Sequence, residues 1–148
     1  MAVASQTKVT PLISSSAVGP LGVAHLPRLW TKLTLAGAGL LPEGYDECGS
    51  GFDAMTLSAL GLNKDEVITY VRTRKPTYVE FEEFVVQKGK TDPEAIKKHN
   101  AAVHGYHHSD EKAAQMHKEL GSKQHHVKDA VTLNMLEDLH ELHQTVTK

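Results

Sequence analysis

The stretch His25-Leu-Pro-Arg-Leu-Trp-Thr-Lys-Leu-Thr-Leu-Ala-Gly-Ala-Gly-Leu-Leu41 decides the fold. Pro27 suits the first turn of a helix, where its missing N–H is not needed. Leu26, Leu29, Trp30, Leu33 and Leu40 then recur at helical spacing, which is the buried face of an amphipathic helix. Gly37 and Gly39 weaken its end and Pro42 stops it. A Gly-rich loop follows, dense in reactive side chains: Tyr45, Asp46, Glu47, Cys48 and Asp53. Phe52, Met55, Ala59 and Leu60 predict a second, short helix closed by Gly61.

Downstream the same grammar repeats. Asn63 and Glu66 read as a cap before the stripe Val67, Ile68 and Val71. Lys75-Pro76 breaks that stripe. Thr77-x-x-Glu80 is a capping-box pattern that leads Phe81, Phe84 and Val85 into a core, and Gly89 ends the helix. Thr91-x-x-Glu94 opens the next helix, with Ala95, Ile96, His99, Ala102 and Val103 on one face. Ser109 opens another that ends at Leu120-Gly121. A last helix runs from about Asp129 to the mid-140s, with Met135, Leu136, Leu139 and Leu142 inward. No stretch alternates with period two. The expectation is an all-α chain of six or seven short helices, with a flexible N-terminal arm over 1–10 and a single compact helical domain over 11–148.

Composition narrows the function classes. At 148 residues the chain suits one domain with one core. A net charge of -2 gives no field that would draw in nucleic acid or an anionic membrane. Residues 1–24 are broken by Gln6, Lys8, Pro11 and Pro20, unlike a signal peptide or a membrane span. The lone Cys48 rules out an intrachain disulfide framework and fits a reducing, cytoplasmic setting. A phosphate loop, a dinucleotide fingerprint and a His-Glu-x-x-His motif are all missing, which argues against nucleotide cofactors.

Pro11-Leu12, Gly22, His25-Leu-Pro-Arg28, Lys32 and Gly39-x-Leu-Pro42 stand in the order seen in DUF5069, a bacterial family of uncharacterised proteins, and the chain resembles it over roughly residues 11–148. Tyr45, Cys48, Phe52-Asp53, Leu60-Gly-Leu62, Asp65-Glu66-Val67 and Ile96 continue the likeness. The resemblance implies a small helical domain and no particular reaction. The family often has an acid just before the lysine and an arginine two residues after it. Thr31 and Thr34 stand there instead, which reads either as drift on a structural ion pair or as an interior remodelled into an apolar cavity.

Candidate chemistry falls in two places. His25 and Arg28 at the helix entrance, with Tyr45, Cys48 and Asp53 from the loop, offer an imidazole, a guanidinium, a phenol, a thiol and a carboxylate. That set suffices for proton abstraction, elimination or hydrolysis without a cofactor. Asp53 beside Phe52 is expected to have a raised pKa if buried, as a general base needs. The structural alternative has Asp53 capping the second helix and pairing with Arg28, with Tyr45 a packed aromatic. Cys48 is either a nucleophile or an inert buried thiol.

The second place is the last third, which holds nine of the ten histidines. His99 and His117 fall on apolar stripes, as core residues or as acid–base groups. His104, His107, His140 and His143 are the ligands to expect if a divalent metal binds; the alternative is a solvated His-rich surface.

The reading is a cofactor-independent acid–base enzyme of lyase, isomerase or cyclase type, acting on a small organic molecule in an apolar pocket. Asp53, Tyr45, His99 and His117 are its catalytic candidates. His25, Arg28, Trp30, Thr31, Thr34, Cys48 and Phe84 are its substrate-binding candidates. A non-catalytic helical interaction module that binds a partner protein or pairs as a homodimer, and a divalent-metal-binding protein, are the alternatives.

Overall fold

In the computed structural model, which describes residues 7–148, seven helices form: α1 (Leu26–Gly37), α2 (Phe52–Ala59), α3 (Lys64–Arg74), α4 (Tyr78–Lys88), α5 (Pro93–Gly105), α6 (Asp110–Leu120) and α7 (Ala130–Val146). Among the described residues there is no sheet, only an isolated bridge between His107 and Asp129. The protein is all-α, one compact domain.

Most helix boundaries follow local chemistry. Pro27 sits in the first turn of α1. Asn63 accepts from the Glu66 N–H, and Thr77 with Glu80 forms a reciprocal capping box. Ser109 and Asp129 cap α6 and α7. The cap of α5 is Asp92, accepting from the Ala95 N–H, and not the expected Thr91. Asp92 directly precedes Pro93, so its carboxylate lies within reach of the free N–H groups of the first turn.

Two apolar cores result. The larger gathers Leu26, Leu29 and Leu33 of α1 with Leu57, Val67, Val71, Phe81 and Val85 from the next three helices. The smaller joins α6 and α7 through Ala113, Met116 and Leu133, with Val127 and Leu136 packed against it. The expected inward face of α7 needs correction. Met135 and Leu139 are exposed, and α7 buries Ala130, Leu133 and Asp138 instead. Asp138 turns inward because it meets a cation on α1.

That meeting ties the two halves together. Arg28 Nη1 and Nη2 donate to the Asp138 carboxylate at 2.7 and 3.0 Å, across 110 residues of sequence, and both side chains are buried. Arg28 also donates to the carbonyls of Pro11 and Ile13, and Tyr45 OH donates to Asp138 Oδ1 at 2.8 Å. The pair is thus bidentate and its spare lone pairs are satisfied, the condition for a buried pair to persist.

The expected loose arm spans residues 1–10. Its first six residues lie outside the described residues. Val9 N–H donates to Leu40 O at 2.8 Å and Thr10 is buried, so these two residues close the C-terminal end of α1.

Truncating one partner of the Arg28–Asp138 pair leaves an uncompensated buried charge. Arg28→Met and Asp138→Leu are each expected to cost about 3–5 kcal/mol in urea unfolding, and the double variant to recover much of that loss. Strictly additive losses would show that the pair does not couple the two cores.

Candidate active site

The polar side of α1 carries His25, Arg28 and Lys32, at i, i+3 and i+7 and therefore on one face. This face meets the Pro42–Asp53 loop and α7. Between them lies a cleft of about 780 Å³, lined among others by Ser15, His25, Lys32, Phe52, Asp53 and Glu137. The pocket was expected to be apolar, but polar and charged side chains dominate the wall.

At its floor is a continuous buried relay. His25 Nε2 lies 2.6 Å from Asp53 Oδ1, and His25 Nδ1 lies 3.0 Å from Ser15 Oγ. Asp53 Oδ2 accepts from Lys32 Nζ at 2.5 Å and from the Gly49 N–H at 2.7 Å. Ser15, His25, Asp53 and Lys32 are all buried. The carboxylate only accepts, so Nε2 of His25 carries the proton and Nδ1 is left to accept from the Ser15 hydroxyl. Asp53 also sits in the first turn of α2, where the helix dipole favours an anion.

The electrostatics differ from the sequence expectation. Burial pushes the Asp53 carboxyl up, but the hydrogen bond from His25 and the Lys32 charge outweigh it, and its pKa lies below the ordinary value. Asp53 is a committed anion, so the expected raised pKa is corrected. Nor does Asp53 cap α2 or pair with Arg28, because Lys32 and His25 reach it first. His25 is held neutral: burial lowers its pKa, and it prevails over the opposing pull of Asp53. Partial burial in the cleft, with the Asp138 and Glu119 charges adding, raises the Glu137 carboxyl against the pull of Lys112.

His25 is also strained. Its backbone has φ 73° and ψ -17°, the left-handed region that a residue with a β-carbon rarely enters. Two residues of α5 clamp the segment before it. Asn100 accepts from the Ala24 N–H and donates to Gly22 O, and His99 Nε2–H donates to Ala24 O at 2.9 Å. These bonds over-determine the chain at residue 24 and oblige residue 25 to take the unfavourable conformation. Such strain persists where the surroundings enforce it, often at functional sites.

The other candidates divide. Tyr45 lines the cleft as a neutral donor to Asp138; burial and that hydrogen bond raise its pKa far above the usual phenol range. Arg28 lines it too. His99 and His117 do not. His99 holds Ala24, and His117 is fully buried, donating from Nε2 to Val127 O. Cys48 belongs to the larger core, and its thiol is pushed up by burial and by Asp53, so it is not a poised nucleophile.

Trp30 packs on Tyr78 and donates to Pro76 O, and Phe84 stacks on Tyr70, so neither is a cleft wall. Besides Tyr45, Phe52 and Tyr106 form aromatic walls, with ring centres 5.6 Å apart. Thr31 donates to Pro27 O in its own helix. Thr34 is exposed and borders a separate hollow of about 210 Å³. Lys32 itself pairs with Asp53, and neither Thr31 nor Thr34 lines the cleft. His140 lines the cleft, whereas His104, His107 and His143 are exposed. No group of three His, Cys, Asp or Glu side chains suited to a metal forms among the described residues.

Sequence reasoning missed Ser15, Lys32 and Asp138 as site residues. Lys32 was findable, since a lysine at i+7 from His25 on an otherwise apolar helix must meet an acid if buried. Ser15 carried no signal, because its role depends on a fold-back of the chain.

The depressed pKa values set a pH dependence of stability. A folded pKa below the unfolded one makes the contribution complete above the unfolded value and lost as pH falls through the folded value. Thermal stability is expected to decline as pH drops below the ordinary 6.5 of His25, and further once pH drops below the ordinary 3.8 of Asp53. His25→Gln should flatten the upper part of that decline; a wild-type profile unchanged between pH 7 and 5 would contradict the assignment. Beyond the geometry, no family model matches the chain and no curated protein shows a significant sequence match to it.

Proposed function

We propose that this protein is a cofactor-independent enzyme that applies general acid–base chemistry to a small organic molecule bound in the cleft. The observation that carries the reading is the Ser15–His25–Asp53–Lys32 relay at the cleft floor. A neutral imidazole oriented by a fixed carboxylate is the arrangement that lets histidine take a proton near neutral pH. Lys32 keeps Asp53 anionic, and Asp53 keeps His25 in one tautomer. His25 is the base, where the sequence offered Asp53, His99 or His117. Glu137 lines the same cleft. Proton abstraction, elimination and hydrolysis are all open to such a set.

The test is a turnover screen of small metabolites followed by mass spectrometry, then kinetics on the substrate found. A folded Asp53→Asn variant is expected to lose about 10²–10⁴-fold in kcat/KM, the usual worth of an oriented general base. The acid limb of the pH profile should have its midpoint below 6.5, since His25 must be neutral to act. Undiminished activity in Asp53→Asn would sink the assignment.

A second reading, an interaction module that pairs with itself, is favoured by one feature. Met135, Leu139 and Val146 leave an exposed apolar stripe at helical spacing on α7. If it is a dimer seam, sedimentation will give twice the monomer mass, and Leu139→Lys will return the protein to a monomer. Monomeric wild-type protein at high concentration rejects that reading.

A further inference from the structure

The relay leaves His25 with no free nitrogen. Nε2 is committed to Asp53 and Nδ1 to Ser15. A molecule in the cleft therefore exchanges protons with His25 through the Ser15 hydroxyl, which lines the cleft beside it. Ser15 lies in a turn held by its neighbours: Ala17 N–H donates to Ser14 O, and Ser16 N–H donates to Ser14 Oγ. Its hydroxyl donates to a neutral imidazole whose far side is held by an anion. Those are the parts of an activated serine, recognised by geometry and not by sequence order.

We infer that Ser15 is a nucleophile and that the cleft hydrolyses a small carboxylic ester carrying a cationic, ammonium-type group. The inference rests on the acid–base reading above and adds the attacking atom and the substrate class.

Two features of the cleft select the charge. Asp53 and Asp138 are neutralised by Lys32 and Arg28, whereas, among the described residues, Glu43, Asp46, Glu119, Glu137 and Glu141 line the cleft against one further cation, Lys112. The wall is therefore net negative. The second feature is aromatic. Phe52 and Tyr106 meet edge to face at the same cleft, and ring faces attract ammonium groups. Carboxylates with aromatic rings suit a cation, not an anion or a plain hydrocarbon.

The chemistry balances with water as the co-reactant. Ser15 Oγ bonds to the ester carbonyl carbon while its proton passes to His25 Nδ1. The carbon–oxygen bond to the alcohol breaks, and the alcohol leaves with that proton. Water then adds to the acyl carbon and gives a proton to Nδ1. The bond to Oγ breaks, Oγ regains the proton, and a carboxylic acid departs. Asp53 stays ionised and holds the imidazolium that forms at each stage. Arg28, which lines the cleft, makes its hydrogen bonds from Nη1 and Nη2; its Nε–H has no acceptor among the described residues and is available to a carbonyl oxygen that gains charge.

The experiment uses the full chain and two fluorophosphonate probes of equal size, one with a trimethylammonium group and one with a neutral tert-butyl group. Intact mass and peptide mapping read the adduct, and histidine nitrogen NMR reads His25 in the same sample. The expected result is a single adduct on Ser15, formed at least tenfold faster by the cationic probe, with the preference shrinking at high salt. Because the label is mapped on the native chain, the result does not require any variant to fold. His25→Gln should slow labelling about 10²-fold or more.

An adduct elsewhere, or none, while NMR shows neutral His25 protonated on Nε2, overturns the nucleophile and leaves the acid–base reading standing. A His25 that titrates at or above 6.5 overturns that reading itself. Equal rates for the two probes overturn the cationic substrate class.

Discussion

Burying two cations on one helix is the constraint around which this protein is built. Arg28 and Lys32 stand one turn apart on α1, both buried, and neither is tolerated in the interior without an anion. Arg28 takes Asp138 from α7 and Lys32 takes Asp53 from α2. The first pair fixes the small α6–α7 core against the large one. The second fixes the loop and the start of α2 against the head of α1. A polar cleft opens between the two pairs because the charged face of α1 cannot be covered with leucines.

The same helix shows how one element serves two purposes. Leu26, Leu29 and Leu33 bury one face in the larger core, and His25, Arg28 and Lys32 present the other to the cleft. Ordinary packing therefore makes the site's scaffold rigid. The strain at His25 is borne by neighbours that are themselves firmly held: α5 grips residues 22–24 through His99 and Asn100, and α5 rests on α2. Two histidines thus divide the work, one holding the backbone and the other the proton.

Polar satisfaction accounts for where sequence reasoning erred. Met135 and Leu139 fit an inward stripe by spacing alone, yet α7 turned Asp138 inward. A buried guanidinium without its carboxylate costs more than the transfer energy of one or two partly exposed apolar side chains. Asp53 was expected to be a lone buried carboxyl with a raised pKa. That expectation considered Phe52 and burial, and it omitted Lys32, which lies 21 residues earlier in the chain. Trp30 and Phe84 were expected as pocket walls because they are large and apolar; each found a closer aromatic partner in Tyr78 or Tyr70.

Local signals in the sequence were enough to determine the all-α class, the number of helices, most of their caps and the face of α1 that enters the core. Hydrophobic periodicity, cap residues and Gly or Pro stops act over a few residues and need no partner from elsewhere. The sequence also placed His25, Arg28, Tyr45 and Asp53 in one neighbourhood, since a helix entrance and the loop after that helix return to the same side. Which carboxylate is paired, what holds the His25 imidazole and whether a serine reaches it were decided only by tertiary structure. Those properties depend on polar groups brought together across 10, 28 and 110 residues of chain, and on the water excluded when they meet.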